Sequence, residues 1–166
     1  MTESTHNLRV LVIGVGALER GDDAAGRLAA RQIMASSTGT PLDVIELRGE
    51  AMALMDAWSN ANTVILIDAM SAGNPVGSVS RWDASAQPMP AEMARGSTHD
   101  MGVPDAIELA RAMGMLPARV IVYGIEIQHA AHGSEPSPQV ISGIEQAARS
   151  VIDEALQLTE GSNRHA

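Results

Sequence analysis

The chain has 166 residues, of which 45% are apolar, and its 11 basic and 20 acidic side chains give a net charge of −9. This length suits one domain with a sizeable core, and the negative charge argues against nucleic acid or an anionic membrane as a main partner. The absence of cysteine excludes disulfides, thiolate metal sites and a cysteine nucleophile.

Apolar runs alternate with amphipathic segments along the chain. The apolar runs predict strands at 8–13, 42–47, 63–68, 78–82 and 119–127. Apolar residues at helical spacing predict helices at 24–34, 51–58, 103–113 and 139–158. Between the fourth strand and the third helix, residues 83–98 are expected to be irregular, and they contain Pro88 and Pro90.

This alternation predicts a single α/β domain over residues 1–166, with a twisted, mostly parallel sheet and helices on both faces. Residues 1–7 and 159–166 are expected to be flexible tails. The first residues lack the apolar stretch of a signal peptide, and no segment is apolar enough to span a bilayer, so a cytoplasmic protein is expected. Ligands of such folds bind at the carboxyl ends of the strands.

The loop after the first strand, GVGALERGDDAAG at 14–26, has the position of a phosphate-binding turn but not its sequence. A dinucleotide fingerprint needs a third glycine three residues after Gly16, where this chain has Glu19. Two aspartates at the start of the following helix would repel a pyrophosphate. Glu46, at the end of the second strand, is a candidate for a ribose contact. A Rossmann-like nucleotide-binding enzyme is therefore the weaker interpretation, kept as an alternative.

Three acidic residues and one histidine stand in loops at the predicted ligand edge. The simplest interpretation of Asp22 and Asp23 is helix capping, because an aspartate at a helix start accepts backbone N–H bonds. Capping explains one of the two, whereas a second adjacent aspartate adds repulsion and points to a positive group nearby. Asp68 and His99, taken singly, are a turn residue and a loop residue. Together, however, Asp23, Asp68 and His99 belong to segments that should meet at one edge of the sheet. Two carboxylates and an imidazole suit a divalent transition metal with open coordination positions.

The other histidines are weaker candidates for a site. His129 and His132, in IQHAAHG, could pair on a metal but have no clear third ligand. They are interpreted as surface or substrate-rim residues.

Four stretches resemble one known family in their order and rough spacing: VLVIGVGALERGDDAAG, TVILIDAM, GSTHDMGVPDAIELARAMG and VIVYGIEIQ. That family is the hydrogenase maturation proteases, and the resemblance runs from about residue 8 to residue 155. It implies a twisted, mostly parallel sheet flanked by helices. It also implies an endopeptidase that removes the C-terminal extension of a nickel–iron hydrogenase large-subunit precursor after nickel insertion.

Residue by residue, the resemblance places the family's metal-binding positions on Asp23, Asp68 and His99. Asp23 and Asp68 are also the candidate catalytic residues. The implied metal is nickel carried by the substrate, and no nucleotide cofactor is expected. The implied partner is the large-subunit precursor, with no nucleic acid and no membrane, and a monomer is expected. Two positions depart from the family pattern, because Ala17 stands where the family usually has Asn and Ala24 stands where a glycine often follows the acidic pair.

Two mechanisms fit these residues. In one, the ligands hold nickel on the precursor, which polarises the scissile carbonyl while a metal-activated water attacks. In the other, Asp23 or Asp68 is a general base and the metal has no catalytic role. A further alternative is a non-catalytic nickel-binding hydrogenase assembly factor, which would bind nickel or the precursor without cutting it.

Overall fold

The structure is a computed structural model that describes residues 9–91, 102–128 and 130–163. Of residues 162 and 163, only the backbone is described. Five strands and four helices follow one another in this part of the chain. The strands are β1 (Val10–Val15), β2 (Leu42–Leu47), β3 (Thr63–Met70), β4 (Val79–Asp83) and β5 (Arg119–Glu126). The helices are α1 (Ala25–Ser36), α2 (Ala51–Ala57), α3 (Val103–Ala112) and α4 (Pro138–Asn163). A short 3₁₀ helix, Gly21–Ala24, leads into α1.

The strands form one sheet in the order β2-β1-β3-β5-β4. The first four strands in this order are parallel, and β4 pairs antiparallel with β5 at the edge. The prediction of a mostly parallel sheet with helices is confirmed. Strand β2 lies on one side of β1, and the next strand in the chain, β3, lies on the other side. The direction in which strands are added to the sheet therefore reverses between β1 and β3. Such a switch point is where ligands bind in open α/β sheets.

The two faces of the sheet bury separate apolar layers, and β3 shows why. Ile65 and Ile67 point to the face covered by α1 and α4, whereas Val64 and Leu66 point to the face covered by α2 and α3. All four side chains are fully buried. Successive side chains of a strand alternate between faces, so an unbroken apolar run is what a strand covered on both sides requires.

The last helix runs further than the sequence pattern predicts. Residues 159–163 continue α4, although they were expected to belong to a flexible tail. Thr159 is only 8% exposed, and its hydroxyl donates to the carbonyl oxygens of Ala155 and Leu156 at 3.1 and 2.8 Å. The hydroxyl therefore bonds within the helix, which lets a polar residue lie on its buried side. Residues 1–7 and 164–166 lie outside the described residues.

The antiparallel edge strand is fastened to the last helix by a polar cluster. Arg81 of β4 donates to the Glu154 carboxylate of α4 from Nε at 2.8 Å, and the Tyr123 hydroxyl of β5 donates to the same carboxylate. Burial raises the pKa of Tyr123 well above its ordinary value, and Glu154 adds to that rise. The phenol therefore keeps its proton and remains a donor. Within the described residues, no helix has both the length and the apolar character needed to cross a membrane.

Candidate functional site

Two glycines shape the loop that carries Asp23. Gly16 has φ +149°, and a Cβ there would lie 2.1 Å from the Asp23 carbonyl oxygen. At Gly26, a Cβ would lie 2.2 Å from the carbonyl oxygen of Ile67 and 2.4 Å from that of Val15. Helix α1 therefore begins directly against the ends of β1 and β3. This close packing places the Asp23 turn beside the end of β3, where Asp68 lies.

Asp23 and Asp68 meet at the switch point between β1 and β3. Asp23 is 4% exposed, and Asp68 is partly buried at the carboxyl end of β3. Burial, together with the nearby charge of Asp23, raises the pKa of Asp68 to about 8, against a smaller opposing effect of the Ala69 backbone hydrogen bond. Two carboxylates that repel each other in a desolvated setting favour a shared proton or a cation between them. The predicted proximity of these two residues is therefore what the structure shows.

The third predicted ligand, His99, lies outside the described residues. The chain is described again from Gly102, and Val103 and Pro104 at the start of α3 line the same small cavity as Asp68. The segment that follows His99 thus returns to Asp68. Among the described residues, no three His, Cys, Asp or Glu side chains are grouped as a metal site would require. Asp23 and Asp68 are the two members of the predicted set that the structure brings together.

The cavity beside Asp68 is small and largely apolar. It measures about 20 Å³, room for about one water molecule. Its apolar lining comes from β3, β5, the start of α3 and the segment after β4, and includes Met70, Met89 and Val122. An apolar lining of this kind desolvates the Asp68 carboxylate, which is the main cause of its raised pKa.

Asp22 does not cap its own helix, contrary to the simplest interpretation of the sequence. Its carboxylate accepts hydrogen bonds from the backbone N–H of Gln128 at 3.2 Å and of Ser137 at 2.7 Å, and from the Ser137 hydroxyl at 3.3 Å. Neither Gly21–Ala24 nor α1 has a side-chain cap. Asp22 is 2% exposed and joins the β1–α1 loop to the connection between β5 and α4. Its role is to tie two loops together.

The same two loops meet at several further points. The Gly133 N–H donates to the Glu19 carbonyl oxygen at 2.7 Å, and Arg20 Nε donates to the Ala130 carbonyl oxygen at 3.3 Å. The exposed His132 lowers the pKa of Glu19 slightly, behind the backbone hydrogen bond and the Arg48 ion pair. His132 is thus an exposed neighbour of the first loop, and its predicted companion His129 lies outside the described residues.

Glu46 has partners that leave it poorly placed for a ribose. Its Oε1 accepts from Arg27 Nε and Arg31 Nε, both at 3.0 Å. Burial alone would raise the pKa of Glu46, but the hydrogen bonds and charges of Arg31 and Arg27 hold it below its ordinary value. The carboxylate therefore fastens β2 to α1 in this structure.

A buried carboxylate that sequence reasoning missed is Glu126, the last residue of β5. It is 3% exposed and accepts hydrogen bonds from the backbone N–H groups of Ala72 and Gly73, in the turn after β3. The signal for it was a single charged residue in the otherwise apolar stretch VIVYGIEI, at the ligand edge of a central strand. A charge in such a place needs a partner.

Comparisons with known proteins agree on one family. The sequence profile of a family described as HycI, hydrogenase maturation protease, matches residues 29–154, a span that contains Asp68 and His99 and begins after Asp23. Hydrogenase expression/formation protein HupD of Rhodobacter capsulatus is 26% identical over 161 residues, which cover 93% of this chain and 76% of HupD.

Solved structures share the fold. An endopeptidase from Escherichia coli is 24% identical with a TM-score of 0.74, over 91% of this chain and 93% of its own. The [NiFe] hydrogenase maturation protease HybD from Thermococcus kodakarensis is 24% identical with a TM-score of 0.69, over 89% of this chain and 99% of its own.

Fold and site together define an α/β protein with paired carboxylates at the switch point of its sheet. The chain belongs to the hydrogenase maturation protease family. It is therefore a peptide hydrolase, and both the resemblance and the enzyme class predicted from the sequence are confirmed.

Proposed function

We propose that this protein is the endopeptidase that removes the C-terminal extension of a nickel–iron hydrogenase large-subunit precursor after nickel insertion. It recognises the nickel of the precursor through Asp23, Asp68 and His99. It works in the cytoplasm, as a monomer and without a nucleotide cofactor. The observation that carries the proposal is the pair of adjacent carboxylates, Asp23 and Asp68, at the switch point of a sheet with this family's fold.

The electrostatics of the pair support recognition of a cation. Without a cation, the burial of Asp68 and the charge of Asp23 raise the pKa of Asp68 to about 8, so that it keeps its proton below that pH. A divalent metal presented by the precursor removes the repulsion between the carboxylates and releases that proton. A precursor without metal offers nothing to offset the repulsion. The site therefore discriminates between loaded and empty precursor by charge, which matches cleavage after nickel insertion.

The same carboxylate is suited to the chemical step. A general base must hold a free carboxylate at the moment of attack, and Asp68 is in that form once the metal has released its proton. Asp68 can accept the proton of a water that attacks the scissile carbonyl, while Asp23 and His99 keep hold of the nickel. The alternative, in which nickel itself activates the water, uses the same three residues.

The test compares the wild type with Asp23→Asn, Asp68→Asn and His99→Ala. Mass spectrometry measures how fast each protein removes the C-terminal extension from a nickel-loaded precursor. Each variant should lose roughly 100-fold or more in rate, the scale of a lost acid–base or ligand group. Double variants should lose little more than single ones, because the three residues act as one unit. Binding of cadmium ions to the free protein should weaken in each variant.

A matched control is Asp153→Asn, which removes the same charge from an exposed position on α4. It should cleave at the wild-type rate. Cleavage near the wild-type rate by folded Asp23→Asn and His99→Ala would refute the three-residue site. Tight binding of the precursor by the wild type without any cleavage would instead support an assembly factor.

A further inference from the structure

Glu126 lies next to the candidate site without belonging to it. It ends β5 opposite Met70 of β3, and two residues earlier in the same register Gly124 lies opposite Asp68. The pKa of Asp68 is raised by burial and by Asp23. The contacts that link Glu126 to the site run through the backbone.

The carboxylate of Glu126 is enclosed by the turn that follows β3. Its Oε1 accepts from the backbone N–H groups of Ala72 and Gly73, both at 2.9 Å, and its Oε2 also lies 3.1 Å from the Ala72 nitrogen. In the described part of the chain, no ion pair joins Glu126 to a cation. Backbone donors alone therefore compensate for the burial of this charge.

The backbone of Glu126 holds the other end of the same loop. The Gly77 N–H donates to the Glu126 carbonyl oxygen at 2.8 Å, and the Glu126 N–H donates to the Ser78 carbonyl oxygen at 2.9 Å. Residues 71–78 thus close around one residue, which binds the beginning of the loop with its side chain and the end with its main chain.

The turn that Glu126 binds is connected to Asp68 through Met70. The turn starts after Met70, which lines the cavity beside Asp68 together with Gly124. Met70 also packs over Gly124, where a Cβ would lie 2.1 Å from its sulfur. Movement of the turn would therefore shift Met70, the cavity and the end of the strand that carries Asp68.

We propose that Glu126 is a positioning residue of the proteolytic site, which holds the turn after β3 so that Asp68 stays in its working position. This inference rests on the proposed function, since it assigns Asp68 a part in cleavage. It follows from the hydrogen bonds that the acceptor oxygen matters and the negative charge does not.

The variants separate these two properties. Glu126→Gln keeps one carbonyl oxygen, which can accept both bonds that Oε1 accepts, and should cleave the nickel-loaded precursor within about threefold of the wild-type rate. Glu126→Met has a similar length but no such acceptor, and should lose roughly 10- to 100-fold in kcat, the scale of a small misplacement of a catalytic group. Its KM should change less than kcat, because most contacts with a large protein substrate lie elsewhere.

Hydrogen exchange of the free protein follows the turn directly. The amides of residues 72 and 73 should be protected in the wild type and Glu126→Gln, and exchange at least about tenfold faster in Glu126→Met. Circular dichroism must show that each variant is folded at the assay temperature. If Glu126→Met is not folded, Glu126→Asp replaces it, because this variant keeps the charge but withdraws the oxygens from the turn. The control is Glu145→Met on the exposed side of α4, which should change neither measurement.

Different results overturn different statements. A folded Glu126→Met, or a folded Glu126→Asp in its place, that cleaves within threefold of the wild type overturns the positioning role. Equal impairment of Glu126→Gln and Glu126→Met overturns the hydrogen-bond explanation in favour of charge. A wild-type protein that leaves the loaded precursor whole refutes the proposed function itself, and the positioning role falls with it.

Discussion

At the scale of single residues, Asp68 is held in a state that does not favour stability. Its carboxylate is desolvated and lies beside Asp23, so that its pKa is raised to about 8 from an ordinary value of 3.8. Between pH 3.8 and about 8, Asp68 is therefore protonated in the folded protein but ionised in the unfolded chain. The contribution of Asp68 to stability is fully present below pH 3.8 and is lost as the pH rises through about 8.

Replacing Asp68 with Asn should therefore stabilise the metal-free protein, and increasingly so as the pH rises from 4 to 8. One pKa unit corresponds to about 1.4 kcal/mol, so the gain at pH 8 should be at least about 2 kcal/mol in the free energy of unfolding. Urea denaturation of both proteins at several pH values measures it. Ile67→Ala should instead lose about 2–5 kcal/mol at every pH, because it leaves a cavity in the core. Parallel pH profiles for wild type and Asp68→Asn would contradict the raised pKa.

At the scale of elements, the loops at the ligand edge are fastened by buried carboxylates. Asp22 joins the β1–α1 loop to the start of α4, and Glu126 joins the end of β5 to the turn after β3. In both cases a buried carboxylate accepts backbone N–H bonds from a loop that is distant in the sequence. Loops otherwise tend to be the mobile part of a fold. Here they are held in fixed relation to the 3₁₀ helix that carries Asp23 and to the strand that carries Asp68.

Asp22→Ala should lower the free energy of unfolding by about 1–3 kcal/mol, because it leaves the partly buried N–H groups of Gln128 and Ser137 without their acceptor. Thermal and urea denaturation measure the loss. Asp153→Ala, an exposed aspartate on α4, is the control and should stay within about 0.5 kcal/mol of the wild type. A loss no larger than that of the control would show that Asp22 does not fasten the loops.

At the scale of the whole molecule, the distance between α1 and the sheet decides where Asp23 lies. Gly26 lets the first turn of α1 rest on the carbonyl oxygens of Val15 and Ile67, the ends of the two strands on either side of the switch point. Any side chain at position 26 would move the helix away from the sheet. The Asp23 turn, which runs directly into this helix, would move with it.

Gly26→Ala should accordingly destabilise the protein by about 3 kcal/mol, the upper end of the usual cost of overpacking, since a clash with backbone atoms cannot be relieved by a rotamer change. The matched change is Gly161→Ala in α4, where the added Cβ would have no described atom within 4 Å. This variant should be neutral or slightly stabilising. Denaturation midpoints compare the two. Similar midpoints for both variants would show that α1 can shift without loss.

Much of this architecture could be predicted from the sequence, because strands that are buried on both faces of a sheet consist of continuous apolar runs. The apolar run at 42–47 predicts the same bounds for β2 as the structure has, and the proximity of Asp23 to Asp68 follows from parallel strand topology. The roles of Asp22 and Glu126 could not be predicted in the same way. Their partners lie 106, 115, 54 and 53 positions away in the chain, and no local pattern reports such contacts.

The fastened loops have a consequence for a protease in particular. A peptide bond is cut when its segment can leave the surface and extend through an active site, and exposed loop tips are where such nicking is concentrated. The turn after β3 and the start of α4 have backbone N–H groups bound to Glu126 and Asp22, so neither segment is free to extend. These hydrogen bonds therefore lower the susceptibility of the two segments beside the carboxylates to proteolytic nicking.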